Sequence, residues 1–328
     1  MLDLTFACGG YDRVQPLRDG SVSVEGVALN MLRLEPEECF WRMMQGAEFD
    51  VAEMSLSSYC IAKAKGDERF VGIPAFLSRS FRHSSIYLSP STDITDAKQL
   101  AGRRIGVPEY QMTASVWTRG MLANDCGVDL SDVTWVTGGL EQPGRVERQK
   151  LELPDSIRVE SVGARQTLAA ALEEGEIDAL MAPRVPRVFR RAGSGIRRLF
   201  PDYAIREKDY FARTGLFPIM HMVVVRKDVL QDHPWVAASL YKALREAKEV
   251  ATAGLSDLPA LRYTMPFLLA ALEEQEAVFG PDPWPYGMEA NRTALETFIS
   301  YLHEQGLVSA ALAPESLFAP STLREFRI

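Results

Sequence analysis

The chain has 328 residues, of which 47% are hydrophobic and 24% charged, and its formal net charge at pH 7 is -8. At roughly 100–200 residues per domain, this length is enough for two domains that each bury a core, and the composition excludes disordered and fibrous architectures. The negative charge repels phosphate backbones and anionic lipids, and no segment approaches the roughly 18 apolar residues of a membrane span, so we expect neither nucleic acid nor a membrane as a partner.

The N-terminal segment is typical of a buried strand. Leu2–Ala7 is apolar and ends at the Gly9-Gly10 turn, beyond which Tyr11-Asp12-Arg13 forms a polar loop. An acid stands at position 3, no basic residue precedes the apolar run, and the run is too short for the hydrophobic region of a signal peptide. We therefore expect a cytoplasmic protein.

The next elements alternate between helix and strand. Pro36 begins a predicted helix that ends near Gly46, and Phe49–Met54 follows as a short strand. The hydroxyl groups of Ser55–Ser58 are suited to cap the helix that comes next. This β-α-β-α rhythm predicts an α/β fold with a mainly parallel sheet.

A second group of elements surrounds a candidate anion site. Phe81–Leu88 is predicted to be a strand, Asp96–Leu100 a short helix and Arg104–Pro108 another strand. A helix that ends near Cys126 begins after Glu109–Thr113. Its first N–H groups and its dipole would form a cradle for an anion at the end of the preceding strand.

The remainder continues this rhythm and then becomes chiefly helical. Gly138–Pro154 is the least regular stretch, and a loop of this length within a compact domain is more often functional than accidental. The predicted strands are Val133–Val136, Asp178–Met181 and Ile219–Val225, and the predicted helices are Gln166–Glu174, Trp235–Thr252, Pro266–Phe279 and Ala290–Gln305.

The common catalytic motifs are missing from the sequence. It contains no P-loop, dinucleotide fingerprint, HExxH, GxSxG or EF-hand pattern, which lowers the weight of those enzyme classes. The cysteines form no CxxC pair and have no zinc-like spacing to histidine, as expected for buried thiols in a reducing compartment. They are Cys8, Cys39, Cys60 and Cys126.

Four histidines are candidates for proton transfer. His233 and His303 lie at predicted helix ends, where a structural role is favoured. His83 and His221 lie within or beside apolar strands. From the residues alone, a half-buried packing histidine is the favoured interpretation of each.

Several charged residues are candidates for anion binding. Arg184 follows a strand and a proline, and its guanidinium can bind a ligand carboxylate through two parallel hydrogen bonds. Arg145 and Arg148, in the irregular loop, are either surface charges or part of an anion clamp, and the sequence leaves both interpretations open. Glu289 begins the last long helix, where favourable interaction with the helix dipole is the simpler explanation.

Long strings of residues nevertheless resemble the 4,5-dihydroxyphthalate decarboxylase family, and the resemblance covers almost the entire chain. The most specific strings are Phe49–Tyr59 (FDVAEMSLSSY), Ser80–Tyr87 (SFRHSSIY) and Gly106–Ala114 (GVPEYQMTA). Further matches are Ala7-Cys8 with Tyr11-Asp12-Arg13, Pro218–His221, His233–Val236, and Trp284–Gly287 with Asn291-Arg292.

This resemblance implies a fold similar to type II periplasmic solute-binding proteins. In that fold two α/β lobes are joined by two crossing hinge strands, and the ligand binds in the interdomain cleft. Lobe 1 would comprise residues 1–88 plus 222–328, and lobe 2 residues 89–221, with crossings at Arg82–Leu88 and Ile219–Val225. The crossings would bring His83 and His221 together at the cleft floor, which makes them better candidates for proton transfer than for packing.

The activity that the resemblance implies is non-oxidative decarboxylation of 4,5-dihydroxyphthalate, or a close aromatic dicarboxylate, to a protocatechuate-type product and CO2. The expected catalytic residues are His83 and His221 as the acid–base pair, with Glu53 and Glu289 as orienting or phenol-side carboxylates. The expected substrate-binding residues are Arg82, Arg148 and Arg184 for the anion, Ser55, Ser57 and Thr113 as hydroxyl contacts, and Tyr11, Arg13 and Gln111.

Some alternatives stay open. We expect a small anionic aromatic substrate and no obligatory cofactor. A divalent metal is the alternative, because a catechol can chelate one and two histidines plus a carboxylate can hold it. The alternative from another class is a solute-binding protein for an aromatic acid or another small anion. A third possibility is an enzyme of this family with a shifted substrate. The Gly9-Gly10 step is then the first place to look, because a bulkier residue there would reshape the cleft near Tyr11. A homo-oligomer is compatible with the sequence.

Overall fold

The computed structural model describes residues 1–256, 261 and 263–324. Its described residues form two β-sheets with helices, and the chain divides into two compact units. The first unit comprises Met1–Arg79, Ile219–Glu296 and Leu312–Ile328, and the second comprises Ser80–Pro218 and Thr297–Ala311. Within the described residues, no helix is long and apolar enough to span a membrane.

The strands and helices alternate along much of the chain. The strands are β1 (Leu2–Cys8), β2 (Val27–Arg33), β3 (Val51–Ser55), β4 (Phe70–Arg79), β5 (Ile86–Leu88), β6 (Arg104–Val107), β7 (Thr134–Thr137), β8 (Arg158–Ser161), β9 (Ala179–Met181), β10 (Arg197–Arg198) and β11 (Ile219–Arg226). The helices are α1 (Gln15–Arg18), α2 (Pro36–Gly46), α3 (Leu56–Ala64), α4 (Thr113–Asn124), α5 (Leu168–Glu174), α6 (Tyr203–Thr214), α7 (Lys227–Asp232), α8 (Val236–Ser256), α9 (Leu268–Phe279) and α10 (Arg292–Glu304).

The first unit is built on a five-stranded sheet with the order β2-β1-β3-β11-β4. β1 runs parallel to β2 and β3, whereas β11 runs antiparallel to both of its neighbours. β11 is mostly apolar and largely buried, and both of its edges are paired. Its register places His221 opposite Ser55 of β3 and Ser78 of β4, which brings a late residue beside an early strand.

The helix boundaries of the first unit follow from local chemistry. Pro36 occupies the first turn of α2, where the missing N–H is not needed for an intrahelical bond. The Ser55 hydroxyl accepts a hydrogen bond from the Ser58 N–H at 3.4 Å at the start of α3. The cap that the serine-rich sequence predicts is therefore confirmed.

The second unit is built on a six-stranded sheet with the order β10-β5-β9-β6-β7-β8. Helix α5 packs on this sheet, and its Leu168 and Leu172 join a buried cluster with Leu180. At Gly106 on β6 an added Cβ would lie 2.6 Å from Ile177 Cδ1, so a larger residue here would force the packed side chains to shift. In this sheet β5 is antiparallel to β9 and β10, whereas the pairs β6–β7, β6–β9 and β7–β8 are parallel.

Three features differ from the sequence-based expectation. The sheets are mixed rather than mainly parallel, because β11 and β5 run against their neighbours. The predicted strand from Phe81 begins only at Ile86, because His83–Ser85 form a 3-10 turn. The compact units change at residues 79/80 and 218/219, where we expected 88/89 and 221/222.

The expected lobe 1 also included residues 297–311, which pack within the second unit. The rings of Phe298 and Tyr301 lie 5.2 and 5.7 Å from the ring of Trp117 on α4. The side-chain packing of residues 297–311, rather than their position in the chain, therefore places them in the second unit.

Candidate active site

A buried carboxylate, Glu53, is the centre of a hydrogen-bonded cluster in the first unit. Its Oε2 accepts the Gly9 N–H at 2.8 Å, and its Oε1 lies 2.6 Å from the Tyr11 hydroxyl and 2.7 Å from His221 Nδ1. Glu53 lies on β3, Gly9 and Tyr11 follow β1, and His221 lies on β11. The sheet order β1-β3-β11 therefore assembles the cluster from three neighbouring strands. We call Tyr11, Glu53 and His221 the Glu53 cluster.

The surroundings of Glu53 keep it ionised. Burial alone would raise the pKa of this carboxyl, but the bonds from His221, Tyr11 and Gly9 outweigh burial and hold the pKa below its ordinary value. The pKa of Tyr11 is raised by burial and by the neighbouring Glu53 charge, so Tyr11 stays a phenol and donates its hydrogen. The cluster at neutral pH therefore contains a carboxylate that accepts three hydrogen bonds.

This carboxylate fixes the tautomer of His221. Because Glu53 is ionised and can only accept, we assign a proton to His221 Nδ1. Nε2 is then the ring nitrogen that can take up or give a proton. The His221 side chain is 20% exposed, and the ring of Phe40 packs edge-on against it at 4.7 Å. The geometry is that of an oriented acid–base histidine.

Arg13 supports the tyrosine of this cluster. Its guanidinium lies 4.3 Å from the ring centroids of both Tyr11 and Trp284, and its Nε donates to the Leu77 carbonyl at 2.9 Å. Arg13 also pairs with Asp12 at 3.0 Å. These contacts use the guanidinium to hold Tyr11, so the structure gives Arg13 a positioning role beside the cluster.

The other predicted residues of the first unit are separate from these contacts. Ser55 caps α3, and Ser57 is fully buried in the first turn of the same helix. Glu289 is 78% exposed and pairs with Arg292 at 3.1 Å. Glu289 thus lies at an exposed helix start, as its place in the sequence suggests, whereas Glu53 occupies the orienting position.

In the second unit, Arg82 supplies a half-buried positive charge. Its Nε is buried and has no hydrogen-bond partner among the described residues. Burial lowers the pKa of Arg82 to about 10, an effect that Glu207 partly offsets, so the group is a cation at neutral pH. Arg82 lines a small crevice with Ser85, Ser115 and Thr118, where the Ser115 hydroxyl is also buried and unpartnered within the part of the chain described. A cation with unfilled hydrogen-bonding capacity is suited to a carboxylate.

His83 lies in a different environment from His221. It is 3% exposed and packs 5.8 and 5.3 Å from the rings of Phe200 and Tyr210. Burial lowers the pKa of His83 to about 4, so its imidazole is neutral at pH 7. Its Nδ1 lies 3.8 Å from Glu207 Oε1, beyond a normal hydrogen bond. These contacts resemble those of a packing histidine, and its proton-transfer role stays a prediction.

The irregular loop is held by an ionic cluster. Arg145 Nε and Arg148 Nη2 lie 2.9 and 3.1 Å from Glu109 Oε1. Glu147 accepts the N–H groups of Tyr110 and Gln111. Of the two alternatives that the sequence leaves open, the structure makes Arg145 and Arg148 partners of a buried carboxylate rather than surface charges. The Glu147 carboxylate accepts the backbone N–H groups where we expected an anion.

The remaining predicted residues of the second unit are divided between buried and exposed positions. Gln111 is fully buried, and Thr113 is the first residue of α4. Arg184 follows β9 on the exposed surface. Sequence reasoning missed Glu109 and Ser115. Glu109 lies in the family-specific string GVPEYQMTA and Ser115 directly follows it, so their place in the chain was the signal that pointed to them.

The described part of the chain contains no group of three or more His, Cys, Asp and Glu side chains arranged to hold a metal ion. Within the Glu53 cluster, the Glu53 oxygens are occupied by three hydrogen-bond donors, which leaves His221 Nε2 as the exchangeable nitrogen. The cluster therefore offers one exchangeable ring nitrogen for proton transfer.

Comparison with known proteins gives relatives that match the whole chain or a large part of it. A 4,5-dihydroxyphthalate decarboxylase from Comamonas testosteroni is 40% identical over 327 residues, which covers 100% of this chain and 99% of the relative. A 4,5-dihydroxyphthalate decarboxylase from Pseudomonas putida is 42% identical over 210 residues, covering 64% of this chain and 81% of the relative. No family model matches the chain.

Solved structures agree on the fold. A Candida albicans protein described as exhibiting the generic periplasmic binding protein structural fold has a TM-score of 0.52 at 15% identity, covering 100% of this chain and 99% of its own. The periplasmic aliphatic sulphonate binding protein SsuA from Escherichia coli has a TM-score of 0.50 at 12% identity, covering 100% and 94%. The predicted periplasmic-binding-protein-like α/β fold is therefore confirmed.

Proposed function

The chain belongs to the 4,5-dihydroxyphthalate decarboxylase family, and we propose that it removes one carboxylate from 4,5-dihydroxyphthalate or a close aromatic dicarboxylate. The products are CO2 and a protocatechuate-type dihydroxybenzoate. The observation that carries this proposal is the 40% identity to the Comamonas testosteroni relative, which extends over 327 residues and 99% of that protein. The degradation of phthalate-type compounds is the metabolic setting that this reaction fits.

The reaction needs a proton at carbon. The bond between the ring and the departing carboxylate breaks, its electron pair stays on the ring carbon, and a proton takes the place of CO2. A hydroxyl para to that carbon pushes electron density into the ring and stabilises the protonated, dearomatised intermediate. The protein must therefore supply an acid at the ring carbon, a cation for the retained carboxylate and an acceptor at the phenol.

We assign the acid to His221. Nε2 is the exchangeable nitrogen of its ring, and the bond from Nδ1 to Glu53 holds the ring in a fixed orientation for the transfer. Glu53 is a positioning residue, because its oxygens already accept bonds from Gly9, Tyr11 and His221. After each turnover, solvent can return a proton to the partly exposed imidazole.

We assign the retained carboxylate to Arg82. Arg82 is half-buried, and its buried Nε has no hydrogen-bond partner among the described residues. It lines a crevice with the Ser115 hydroxyl, which has no partner among those residues either. A desolvated cation binds a carboxylate more strongly than an exposed one does. Arg184 and Thr113 stay in the proposed binding set.

The test is turnover of 4,5-dihydroxyphthalate by the purified protein, followed by chromatography of the product and by release of CO2. Equal amounts of protocatechuate and CO2 are expected. Binding without product would favour a solute-binding protein, and neither binding nor product would mean that the substrate is a different acid.

A further inference from the structure

Glu109 is a buried acid to which the proposed reaction, as described above, assigns no role. It is 1% exposed, and Arg145 and Arg148 both contact its Oε1. Its Oε2 is buried and accepts no hydrogen bond from any described residue. A buried carboxylate oxygen without a donor is costly, and an absent water or ligand is a usual explanation.

The same segment has further unpartnered polar atoms. The Gln111 side-chain oxygen and the Ser115 hydroxyl are buried and have no hydrogen-bond partner in the described part of the chain. Gln111 is fully buried and Ser115 is 2% exposed. Ser115 also lines the crevice of Arg82. Glu109 and Gln111, which precede α4, therefore offer acceptors, and Ser115 in the first turn of α4 shares a crevice with the half-buried Arg82 cation.

This distribution of charge matches the polarity of the proposed substrate. 4,5-Dihydroxyphthalate has two carboxylates on one edge of the ring and two hydroxyl groups on the opposite edge. Arg82 suits the first edge, and a carboxylate oxygen suits a hydroxyl donor on the second. Arg145 and Arg148 both contact Oε1 of Glu109, which leaves Oε2 as the oxygen that can accept a hydrogen bond from a ligand.

The other acidic candidates do not offer this acceptor. The Glu53 oxygens are already bonded to Gly9, Tyr11 and His221, and Glu289 is exposed and paired with Arg292. Glu147 accepts the backbone N–H groups of Tyr110 and Gln111.

We propose that Glu109 Oε2 accepts a hydrogen bond from a ring hydroxyl of the substrate and is the residue that selects hydroxylated aromatic acids. This inference rests on the proposed function, because it names the part of that substrate which Glu109 recognises. The bond draws the phenolic hydrogen away from its oxygen and so raises the electron density of the ring. No proton needs to leave the substrate for this selection.

The test is calorimetric binding of two acids that differ only in their hydroxyl groups, protocatechuate and benzoate, to the wild type and to Glu109→Gln. Loss of a hydrogen bond to a charged group predicts about 10–100-fold weaker binding of protocatechuate, with benzoate affinity changed less than about twofold. Equal weakening of both acids would show that Glu109 acts only on the structure and would overturn the inference.

Two further variants guard against misfolding. Glu109→Asp keeps the charge beside Arg145 and Arg148 but withdraws the oxygen, so it should fold and still lose part of the preference for protocatechuate. Glu147→Gln is the matched control, because it neutralises a neighbouring acid, in the loop of Arg145 and Arg148, and should keep the preference. Loss of preference in Glu147→Gln equal to that in Glu109→Gln would contradict the assignment.

The two proposals fail in different ways. A wild type that prefers protocatechuate to benzoate but does not decarboxylate 4,5-dihydroxyphthalate would overturn the proposed function and leave the role of Glu109 standing. A wild type that decarboxylates but binds both acids equally would overturn the role of Glu109 alone.

Discussion

The chemical form of His221 depends on a residue 168 positions earlier in the chain, since its Nδ1 lies 2.7 Å from Glu53 Oε1. A histidine on a strand is ordinarily explained by packing, and His83 has the burial and ring contacts of that class. What separates the two histidines is the ionised carboxylate beside His221. One hydrogen bond thus distinguishes a candidate acid from a packing residue.

Replacement of His221 by Gln should lower kcat for 4,5-dihydroxyphthalate by roughly 10²–10⁴-fold, because the amide cannot deliver a proton to the ring carbon. The affinity for protocatechuate should change far less, so the variant should lose kcat while it keeps its binding of the aromatic acid. Chromatographic rates and calorimetry measure the two quantities. The same change at His233, at the end of α7, is the control and should leave kcat within about twofold. An unaltered kcat in the His221 variant would remove the histidine from the mechanism.

Replacement of Glu53 by Gln should lower the free energy of unfolding at pH 7 by about 1–3 kcal/mol, because hydrogen bonds to a buried charge are lost. The folded-state pKa of Glu53 is lowered, so its stabilising effect is present above the pKa of the unfolded chain and is lost as the pH falls through the folded-state pKa. Urea unfolding of both proteins at pH 7 and in acid measures this difference. A stability gap that widens in acid would contradict the assigned direction.

At the scale of the element, β11 shows what a sequence can and cannot predict. Its apolar residues predict a strand at Ile219–Val225, and the structure has one at Ile219–Arg226. Its insertion between β3 and β4 depends on pairing between distant segments, which local propensity does not encode. The strand β4 (Phe70–Arg79) escaped prediction because Gly72 and Pro74 interrupt its pattern, although both are accommodated there.

The packing of α5 on β6 gives a prediction for the second unit. Gly106→Ala should lower the free energy of unfolding by about 1–3 kcal/mol, because the new Cβ would lie 2.6 Å from Ile177 Cδ1 and 3.2 Å from Leu168 Cδ2 in a close-packed core. Gly254→Ala on α8 is the control, since nothing lies within 4 Å of its added Cβ. That change should stabilise by up to about 1 kcal/mol through helix propensity. Thermal unfolding of both variants measures the two changes in stability. Equal changes in the free energy of unfolding would contradict the packing argument.

At the scale of the whole molecule, family resemblance predicted more than residue patterns did. The long strings around Glu53, His83 and Tyr110 indicated the family and its fold, and the structure and the relatives bear both out. Individual contacts were harder to predict, since Glu53 is bonded to residues 42 to 168 positions away. Glu109 was missed because its partners lie in a loop whose path only the folded chain defines.

The described part of the molecule contains no group of three or more His, Cys, Asp and Glu side chains that could hold a metal, and proton transfer from His221 requires none. From the proton-transfer chemistry proposed for His221, we expect decarboxylation without an obligatory metal. Protein dialysed against EDTA and assayed with EDTA present should keep its kcat within about twofold, and added Mg²⁺, Mn²⁺ or Zn²⁺ should not raise it. Loss of turnover that a single divalent ion restores would show that the catechol oxygens act through a metal. Glu109 would then have to be tested as one of its ligands.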